Sequence, residues 1–394
     1  MARRYRRSRH LVGFWQNGRF VLRNYATRRS ADAAPLVCEL LGLLDGWRSV
    51  DEVADRYPAI PRRLIARLLA ELERCSLVHR DDRGPSAAER AMDGFGSWNP
   101  AAGFFHTATR DVPFLDPREA ERRLRRQARH HPMPPAVKRY RGAPAIPLPR
   151  PALPASAGGL ARVLRERRTW RRFARRPVAL ADLATLLGLA LGVQYWVDIP
   201  GQGRITLRTA PSGGARHPIE AYVLAWNISG LPQGLYHYAA DRHALELLTR
   251  RRGRERVRAY LPKSPAFRRA AALVLFTAVF PRLQWRYPYA RAYRAALVEA
   301  GHVCQTFCLV ATALGLAPFS AMGLADSVVE RDLGLDGVSE AVLYAAGVGA
   351  RPAVDWAPLA RGRLERHPNP ALLPRRLESA PGPADEPEAP VTRR

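Results

Sequence analysis

The chain has 394 residues, of which 47% are hydrophobic, and its formal net charge at pH 7 is +28. This length predicts two or three domains at about 150 residues each, and the hydrophobic share predicts a mainly globular protein. No stretch reaches the roughly 18 to 20 uninterrupted apolar residues of a membrane span, which argues against a membrane protein.

The N-terminal sequence and the cysteines bear on localisation. The basic start, Met1–Arg9, has no apolar signal-peptide core or cleavage site. The four cysteines are scattered and form no C-x-x-C pair, which is not the pattern of a disulfide framework. We therefore expect a cytoplasmic protein.

The positive charge comes almost entirely from arginine, since Lys138 and Lys263 are the only lysines. A GC-rich coding sequence alone would produce this bias. The resulting field would also attract polyanions, so association with acidic peptides or nucleic acid would depend on salt. The net charge alone does not indicate which of these partners the protein binds.

Residues 1–10 are predicted to be a basic tail, and residues 11–83 a small winged-helix-like domain. Leu11–Tyr25 alternates around Asn17-Gly18, which is typical of a hairpin turn. Ala33–Leu44 is an apolar helix. The remaining features of the domain are a capping box that opens a second helix (Ser49, Glu52), a proline at the first turn of a third (Pro61) and a wing strand (Cys75–Arg80).

Three functions are open for this domain. It could recognise nucleic acid through Arg62, Arg63 and Arg67 on the third helix, recognise a peptide that adds to a sheet edge, or pack on its neighbour without binding anything. Enzyme-like motifs further along the chain argue against a transcription factor, and hence against nucleic acid as the partner.

Residues 84–157 are predicted to be a linker or extension, with a charged helix at Pro117–Gln127 and an extended proline-rich stretch at Pro144–Pro154. Residues 158–355 alternate helices and strands and form the second domain. Residues 356–394 are rich in proline and charge, and are expected to be largely disordered. No G-x-G-x-x-G opens a helix after the first strand, so we expect an α+β rather than a doubly wound fold.

The elements predicted in the second domain follow one another closely. They are helices at Leu180–Leu191 and Arg291–Leu314, and strands at Ile219–Trp226, Gly234–Tyr238, Ala244–Leu248, Ala271–Phe280 and Ala341–Gly349.

Three segments of this domain carry chemistry. Arg167–Arg171 places three arginines and a hydroxyl together, and guanidinium groups match phosphate oxygens bidentately. Arg208–Arg216 holds small residues that let a flat ligand approach the backbone. Trp285-Arg286-Tyr287 places an aromatic ring, a fixed cation and a phenol between a strand and a helix. Together these segments indicate a planar cofactor with a phosphate tail.

These segments also resemble a known family. Arg167–Phe173 is similar to the R-R-S-x-R-x-F opening of nitroreductase-superfamily flavoproteins, and Thr209–Glu220 resembles the P-S-A-G-A-x-x-P-x-E run of their SagB-type, or azoline dehydrogenase, branch. Gly234–Tyr238 and Arg291–Gln305 are similar to that branch too. The resemblance covers about 190 residues, and the winged-helix pattern is similar to a peptide-binding module that some members carry.

The resemblance implies an FMN-dependent homodimer with a nitroreductase-like fold: a mixed sheet flanked by helices, preceded by the winged-helix-like domain. It assigns the cofactor phosphate to the arginine motif and the flavin ring to the small-residue run. The implied FMN-binding residues are Arg167, Arg168, Thr169, Arg171, Pro211, Ser212, Gly213, Gly214, Arg216, Gln305, Gly323 and Arg351.

Members of this branch oxidise thiazoline or oxazoline rings of ribosomally made peptides to azoles, and the resemblance implies that reaction here. The family uses a Lys-Tyr pair to handle the proton, whereas this chain has Arg286-Tyr287. A guanidinium stays protonated and is a poor base. Arg286 would then stabilise the phenolate of Tyr287 or hold an acidic substrate group, or else the azoline chemistry is lost.

Two alternatives remain open. An NAD(P)H-dependent flavin reductase would act on a dehydroamino acid, a nitroaromatic or an electron-poor alkene. A catalytically silent scaffold would assist a cyclodehydratase partner in modifying a precursor peptide. No metal site is expected, because Cys304, Cys308 and His302 supply too few convergent ligands and the cysteines have core-like neighbours.

Overall fold

A computed structural model describes residues 3–93, 100–111, 115–157 and 159–353. The predicted C-terminal tail, 356–394, lies outside the described residues. Tertiary contacts divide the chain into two compact units, residues 1–114 and 115–394. This division falls inside the segment that we predicted to be a linker, which therefore contributes structure to both units.

The N-terminal unit combines short strands with helices. Its elements are β1 Arg4–Arg7, β2 Leu11–Gln16, β3 Arg19–Asn24, β4 Ser30–Asp32, α1 Pro35–Leu43, β5 Arg48–Ser49, α2 Val50–Ala54, α3 Arg62–Arg74, β6 Val78–Arg80, α4 Ala87–Met92 and α5 Pro100–Ala108. One antiparallel sheet has the order β2-β3-β4 and another the order β5-β1-β6.

Local sequence explains several of these elements. Asn17 and Gly18 have φ of 50° and 75°, the left-handed backbone that a tight hairpin between β2 and β3 requires. The capping box at the start of α2 is present in full, with Ser49 and Glu52 each accepting from the other's backbone N–H. The apolar face of α3, with Ile65 and Leu69 buried, packs into the core of this unit.

The predicted basic tail is partly a strand. β1 lies between β5 and β6, and Tyr5 is only 4% exposed in the core of the unit. Successive side chains in a strand point to opposite faces, so the arginines on either side of Tyr5 do not prevent pairing. A reading based on charge alone missed this alternation.

The C-terminal unit carries the larger sheet. Its elements are α6 Pro117–His130, β7 Ala145–Pro147, α7 Leu160–Glu166, β8 Val178–Ala179, α8 Leu180–Leu191, β9 Tyr195–Ile199, β10 Gly203–Leu207, β11 Ile219–Ala225, β12 Ile228–Ser229, β13 Gly234–Ala239, β14 Ala244–Thr249, α9 Arg256–Tyr260, β15 Ala272–Val279, α10 Phe280–Arg286, α11 Ala292–Ala313, β16 Leu316–Ala321, α12 Asp326–Leu333 and β17 Glu340–Ala350.

Seven strands form the central sheet in the order β16-β17-β15-β11-β13-β14-β7, and every pairing in it is antiparallel. A short parallel pair, β8-β12, is separate from this sheet. The edge strand β7 comes from the predicted linker and pairs with β14. The α+β class is confirmed, and the strands we predicted in this domain all belong to the central sheet. The mixed sheet that the resemblance implied is not seen among the described residues, where the central sheet is antiparallel and the parallel pair lies outside it.

Helices cover both faces of the sheet, so its middle strands are apolar almost throughout. All residues of β11 are buried, as are all of β15 but the last. One core contains side chains of α8 and α11, and the other contains side chains of α9 and α12. At about 25 cal/mol per Å² of apolar surface buried, these two cores supply most of the stabilising free energy of the unit.

Helix α11 is long and apolar enough to cross a membrane by length and composition, with a mean hydropathy of 1.3 over its most apolar window. Half of that window is buried inside the protein. Core helices of soluble proteins meet the same criterion, so this helix by itself is weak evidence for a membrane span. Its buried side packs on α8 and the central sheet.

Candidate functional site

The small-residue loop between β10 and β11 has an unusual backbone. Gly214, Ala215 and His217 have φ of 60°, 53° and 41°, all in the left-handed region that residues other than glycine rarely adopt. Hydrogen bonds hold this shape. The Ser212 hydroxyl accepts from the backbone N–H of His217 at 2.8 Å, and Arg216 Nε donates to the carbonyl of Gly214 at 2.9 Å. Strained backbone of this kind clusters at functional sites.

The structure brings this loop against the Arg286-Tyr287 pair. A Cβ added to Gly214 would lie 2.4 Å from Arg286 Nε and 2.8 Å from the Tyr287 hydroxyl, and one added to Gly213 would lie 3.6 Å from the Tyr287 ring. Glycine at position 214 is therefore needed twice, for its positive φ and for the approach of the two side chains.

Arg286 is oriented toward the phenol. Its Nε donates to the Tyr287 hydroxyl at 3.3 Å, its Nη1 donates to Gln202 at 3.5 Å, and its carbonyl accepts from Arg123 at 3.3 Å. The pair ends the short helix α10, whereas the sequence suggested only a strand-to-helix junction. Tyr287 is the first residue after that helix and is half-buried.

Segments from the predicted linker complete the surroundings. Trp285 is 5% exposed and its Nε1 donates to the carbonyl of His131 at 2.9 Å. The guanidinium of Arg216, also 5% exposed, lies 5.7 Å from the Trp285 ring centroid and contacts Met133. Arg216, predicted to bind cofactor, is thus enclosed by protein beneath the loop.

The predicted phosphate cradle is a second cluster. Trp170 N–H donates to the carbonyl of Pro318 at 2.8 Å, and Ala174 pairs with Ala350, so residues 170–174 run beside β16 and the end of β17. Arg351 follows β17, and its guanidinium carbon lies 5.2 Å from the Trp170 ring centroid. Its Nη1 lies 4.0 Å from Glu166 Oε2.

The cations of this cluster are partly removed from water. Burial lowers the pKa of Arg168, with a further contribution from the charge of Arg167, and burial also lowers the pKa of Arg171. Both shifts have burial as their largest cause, since removal from water disfavours the charged form. An anionic phosphate bound here would favour that form, because charge-assisted bonds to guanidinium groups are strong.

Helix α11 connects the two clusters. Glu299 on this helix approaches the loop, with its Oε1 3.7 Å from His217 Nδ1, and helix α7, which leads into the arginine motif, also packs on α11. The residues present fit FMN by type, since the arginines would hold its phosphate and the small residues of the loop would admit its flat ring.

The other predicted residues are less closely grouped. Gln305 is exposed on α11, between the positions that contact the two clusters, and Pro211 is exposed at the start of the loop. Thr169 lies within the arginine motif and is part-buried. Gly323 is on an exposed turn after β16, where an added Cβ would meet no atom within 4 Å, so no protein contact requires glycine there.

Sequence reasoning missed two residues of this site. Gln202, in the hairpin between β9 and β10, contacts Arg286, and the buried Glu299 approaches His217 of the loop. Glu299 lies within the α11 motif that resembles the family, but no local pattern indicated that its carboxyl group is buried.

Comparisons with known proteins show the family of this chain. The profile of the Nitroreductase family matches residues 164–350. The protein named putative nitroreductase MJ1384, from Methanocaldococcus jannaschii, is 33% identical over 172 residues, which are 43% of this chain and 82% of that protein. The chain therefore belongs to the nitroreductase family. The matched residues include both the arginine cluster and the loop.

Two further relatives of this nitroreductase-family protein are named as processing proteins. The trifolitoxin-processing protein TfxB of Rhizobium leguminosarum bv. trifolii is 31% identical over 173 residues, 43% of this chain and 46% of that protein. The microcin B17-processing protein McbC of Escherichia coli is 32% identical over 142 residues, 35% of this chain and 51% of that protein. The matches thus span about half the length of each of these two relatives.

The solved structures that the chain is similar to share less sequence with it. One from Ralstonia eutropha, described as a nitroreductase, is 24% identical, with a TM-score of 0.44 over 56% of this chain and 96% of that one. A chain of the E. coli microcin synthetase McbBCD complex with truncated pro-MccB17 bound is 22% identical, with a TM-score of 0.42 over 66% of this chain and 86% of that one.

Proposed function

We propose that this nitroreductase-family protein is an FMN-dependent oxidoreductase that oxidises azoline rings to azoles in a ribosomally made, post-translationally modified peptide. The observation that carries the proposal is the contact between the Arg286-Tyr287 pair and the loop containing Gly214. The names of TfxB and McbC support a peptide substrate.

The residues of the site divide into two groups under this proposal. Arg167, Arg168, Thr169, Arg171 and Arg351 would hold the phosphate of FMN. The residues that would lie along the flavin ring are Pro211, Ser212, Gly213, Gly214 and Gln305, together with Gly323 on the exposed segment after β16. When bound, FMN accepts a hydride from the ring carbon of the substrate. Arg216 would act indirectly, by fixing the Gly214 carbonyl from below.

The chain's own chemistry in this reaction is proton removal from the azoline ring. Arg286 cannot accept a proton because a guanidinium remains charged at working pH. Its Nε donates to the Tyr287 hydroxyl oxygen, so the guanidinium fixes the position of that oxygen. We propose that Tyr287, as phenolate, takes the ring proton and becomes the neutral phenol, while Arg286 keeps its oxygen in place.

The experiment combines cofactor loading with turnover. Purified full-length protein is reconstituted with FMN, its absorbance is recorded, and a synthetic peptide with one thiazoline ring is added in air. We expect a flavin spectrum and conversion of the ring to a thiazole. A protein that binds FMN but leaves the peptide unchanged, alone and with a cyclodehydratase partner, would contradict the azoline assignment.

A second candidate follows from the similarity to MJ1384, whose match covers most of that protein. It is an NAD(P)H-dependent reductase acting on a dehydroamino acid or a nitro or alkene substrate. The same cuvette separates the two functions. Anaerobic NADPH or NADH would bleach the flavin of a reductase within seconds to minutes, whereas the oxidase would keep its yellow colour until azoline peptide was added.

We propose that the N-terminal unit binds the precursor peptide. Its sheet β2-β3-β4 pairs with no further strand among the described residues, so a peptide can add to an edge. Arginines stand along β3 and the turn after it, including Arg19, Arg23 and Arg28. These charges favour binding of an acidic, extended peptide segment. Nucleic acid is disfavoured, because its binding would require contacts to phosphates along a groove.

We also propose a homodimer. Leu160 and Leu164 of α7 are 69% and 51% exposed, and Leu297 and Val298 of α11 are 43% and 56% exposed. The two helices pack on each other, and each leaves large apolar side chains exposed. Exposed apolar surface of this kind marks protein interfaces, and a second copy of the chain would cover it.

A further inference from the structure

The guanidinium group of Arg282, on α10, bonds to three different parts of the C-terminal unit. Its Nε donates to the carbonyl of Pro135 at 2.8 Å, its Nη1 donates to the carbonyl of His217 at 2.8 Å, and its Nη2 pairs with Glu220 Oε1 at 2.6 Å. Arg282 is only 3% exposed. A buried cation costs free energy unless it is paired and hydrogen-bonded, and each of the three guanidinium nitrogens here has a partner.

His217 is the last residue of the strained loop, and its backbone is held on both sides. Its N–H donates to the Ser212 hydroxyl at 2.8 Å, which closes the loop on itself, whereas its carbonyl is bound by Arg282. Ala215 and His217 have φ of 53° and 41°, and backbone of this kind persists only where its surroundings determine it. Arg282 therefore fixes the end of the loop from outside the loop.

Pro135 belongs to residues 131–140, an irregular segment between α6 and β7 that we call the strap. The strap is linked to Arg282 in two ways. One link is direct, through the carbonyl of Pro135. The other runs through Glu220, whose Oε1 also accepts from the backbone N–H of Lys138 at 3.2 Å. The strap and the loop are thus joined to the same guanidinium group.

Glu220 is anchored in the central sheet. It is the second residue of β11 and is 3% exposed. Its Oε2 lies 3.0 Å from His237 Nε2 on β13, and His237 Nδ1 lies 2.7 Å from Glu246 Oε2 on β14. Side chains of three neighbouring strands therefore fix the carboxylate, so its position does not depend on Arg282 alone.

Arg282 also lies four residues before Arg286, about one turn along the helix that ends at the Arg286-Tyr287 pair. We infer that Arg282 is a positioning residue for cofactor binding: its guanidinium group holds the end of the loop at His217 and the strap at Pro135 in the arrangement that admits flavin. This inference rests on the proposed role of the loop in FMN binding, and it adds a residue that acts through the backbone of the loop.

Arg282→Lys is the test variant, because it keeps a positive charge beside Glu220. The donors of arginine are spread over a rigid plane, whereas those of lysine belong to one ammonium nitrogen, so one lysine cannot satisfy all three partners. Hydrogen exchange of the full chain without FMN, read by mass spectrometry, reports the loop and the strap directly. We expect amides of residues 212–217 and 131–140 to exchange about tenfold faster than in wild-type protein, the effect of losing one hydrogen bond to a charged group.

The second readout is the dissociation constant of FMN, measured by flavin fluorescence, which Arg282→Lys should raise about tenfold. Arg256→Lys is the matched control. Arg256 Nε donates to Asp332 Oδ2 at 2.7 Å and so joins α9 to α12, which means that this variant also replaces an arginine bound to a carboxylate. It should lower the melting temperature while leaving the exchange of the loop and the affinity for FMN at their wild-type values.

Several results would overturn the positioning role. If either the loop amides or the FMN affinity of Arg282→Lys stay at wild-type values, or if Arg256→Lys changes them equally, the role is wrong while the proposed flavin chemistry stands. If Arg282→Lys does not fold by circular dichroism, wild-type exchange in dilute denaturant decides: the loop and the strap should open in one step, and two separate openings reject the inference. If wild-type protein binds no FMN, the proposed function fails, and this inference fails with it.

Discussion

Replacing Gly214 with alanine tests how closely the loop and the Arg286-Tyr287 pair depend on each other. Gly214 has a φ of 60°, and alanine in the left-handed region costs about 1 to 2 kcal/mol. At about 2 to 4 °C per kcal/mol for a unit of this size, Gly214→Ala should lower the melting temperature by roughly 2 to 8 °C.

The larger effect should be on activity. The new Cβ would lie 2.4 Å from Arg286 Nε and 2.8 Å from the Tyr287 hydroxyl, so both side chains must move by an ångström or more. Displacement on that scale costs about 100-fold in rate. We therefore expect turnover of a thiazoline peptide to fall by about two orders of magnitude, measured by chromatography of the product.

Gly315→Ala is the matched control. Gly315 has a φ of 70°, and an added Cβ there would meet no atom within 4 Å, so this variant carries the backbone strain without the displacement. It should lose a similar amount of stability and keep its activity per folded molecule. If Gly214→Ala turns over peptide as fast as Gly315→Ala, the proposed contact has no catalytic importance.

Three further predictions concern the chemistry, the cofactor and the assembly. Tyr287→Phe should lower azoline oxidation at least about 100-fold with FMN affinity unchanged; an unaltered rate would remove Tyr287 from the mechanism. Arg171→Gln should weaken FMN binding about tenfold, because a charge-assisted bond to phosphate is lost, whereas the exposed neighbour Arg172→Gln should not. Light scattering after gel filtration should give the mass of a monomer for Leu164→Glu and of a dimer for the wild-type protein. Identical masses for the two proteins would reject the proposed interface.

Much of the fold follows from local sequence patterns. The helix predicted at Leu180–Leu191 has those bounds in the structure, and the buried strand predicted at Ala271–Phe280 differs by one residue at each end. Both are long apolar segments with clear periodicity or strand composition, so local sequence decides them. β7 was not predicted as part of the sheet, because three residues in a proline-rich stretch have no such pattern and only pairing with β14 creates the strand.

The site shows where prediction from sequence stops. Motifs predicted the arginine cluster, the loop and Tyr287 to be functional residues, and these remain predictions. They suggested that the small residues of the loop admit a flat ligand, yet Gly214 also makes room for Arg286 and Tyr287. The approach of Glu299 to His217 and the contact of Gln202 with Arg286 join residues far apart in the chain. No local pattern specifies such contacts, because they depend on how whole elements pack.

The central claim is tested most directly by the mass of a synthetic thiazoline peptide after incubation in air with the full-length, FMN-reconstituted protein. The account predicts the loss of two hydrogens from the peptide, dependent on FMN and strongly reduced by Tyr287→Phe. An unchanged peptide, together with rapid bleaching of the bound flavin by NADPH, would contradict the account and identify the protein as a reductase.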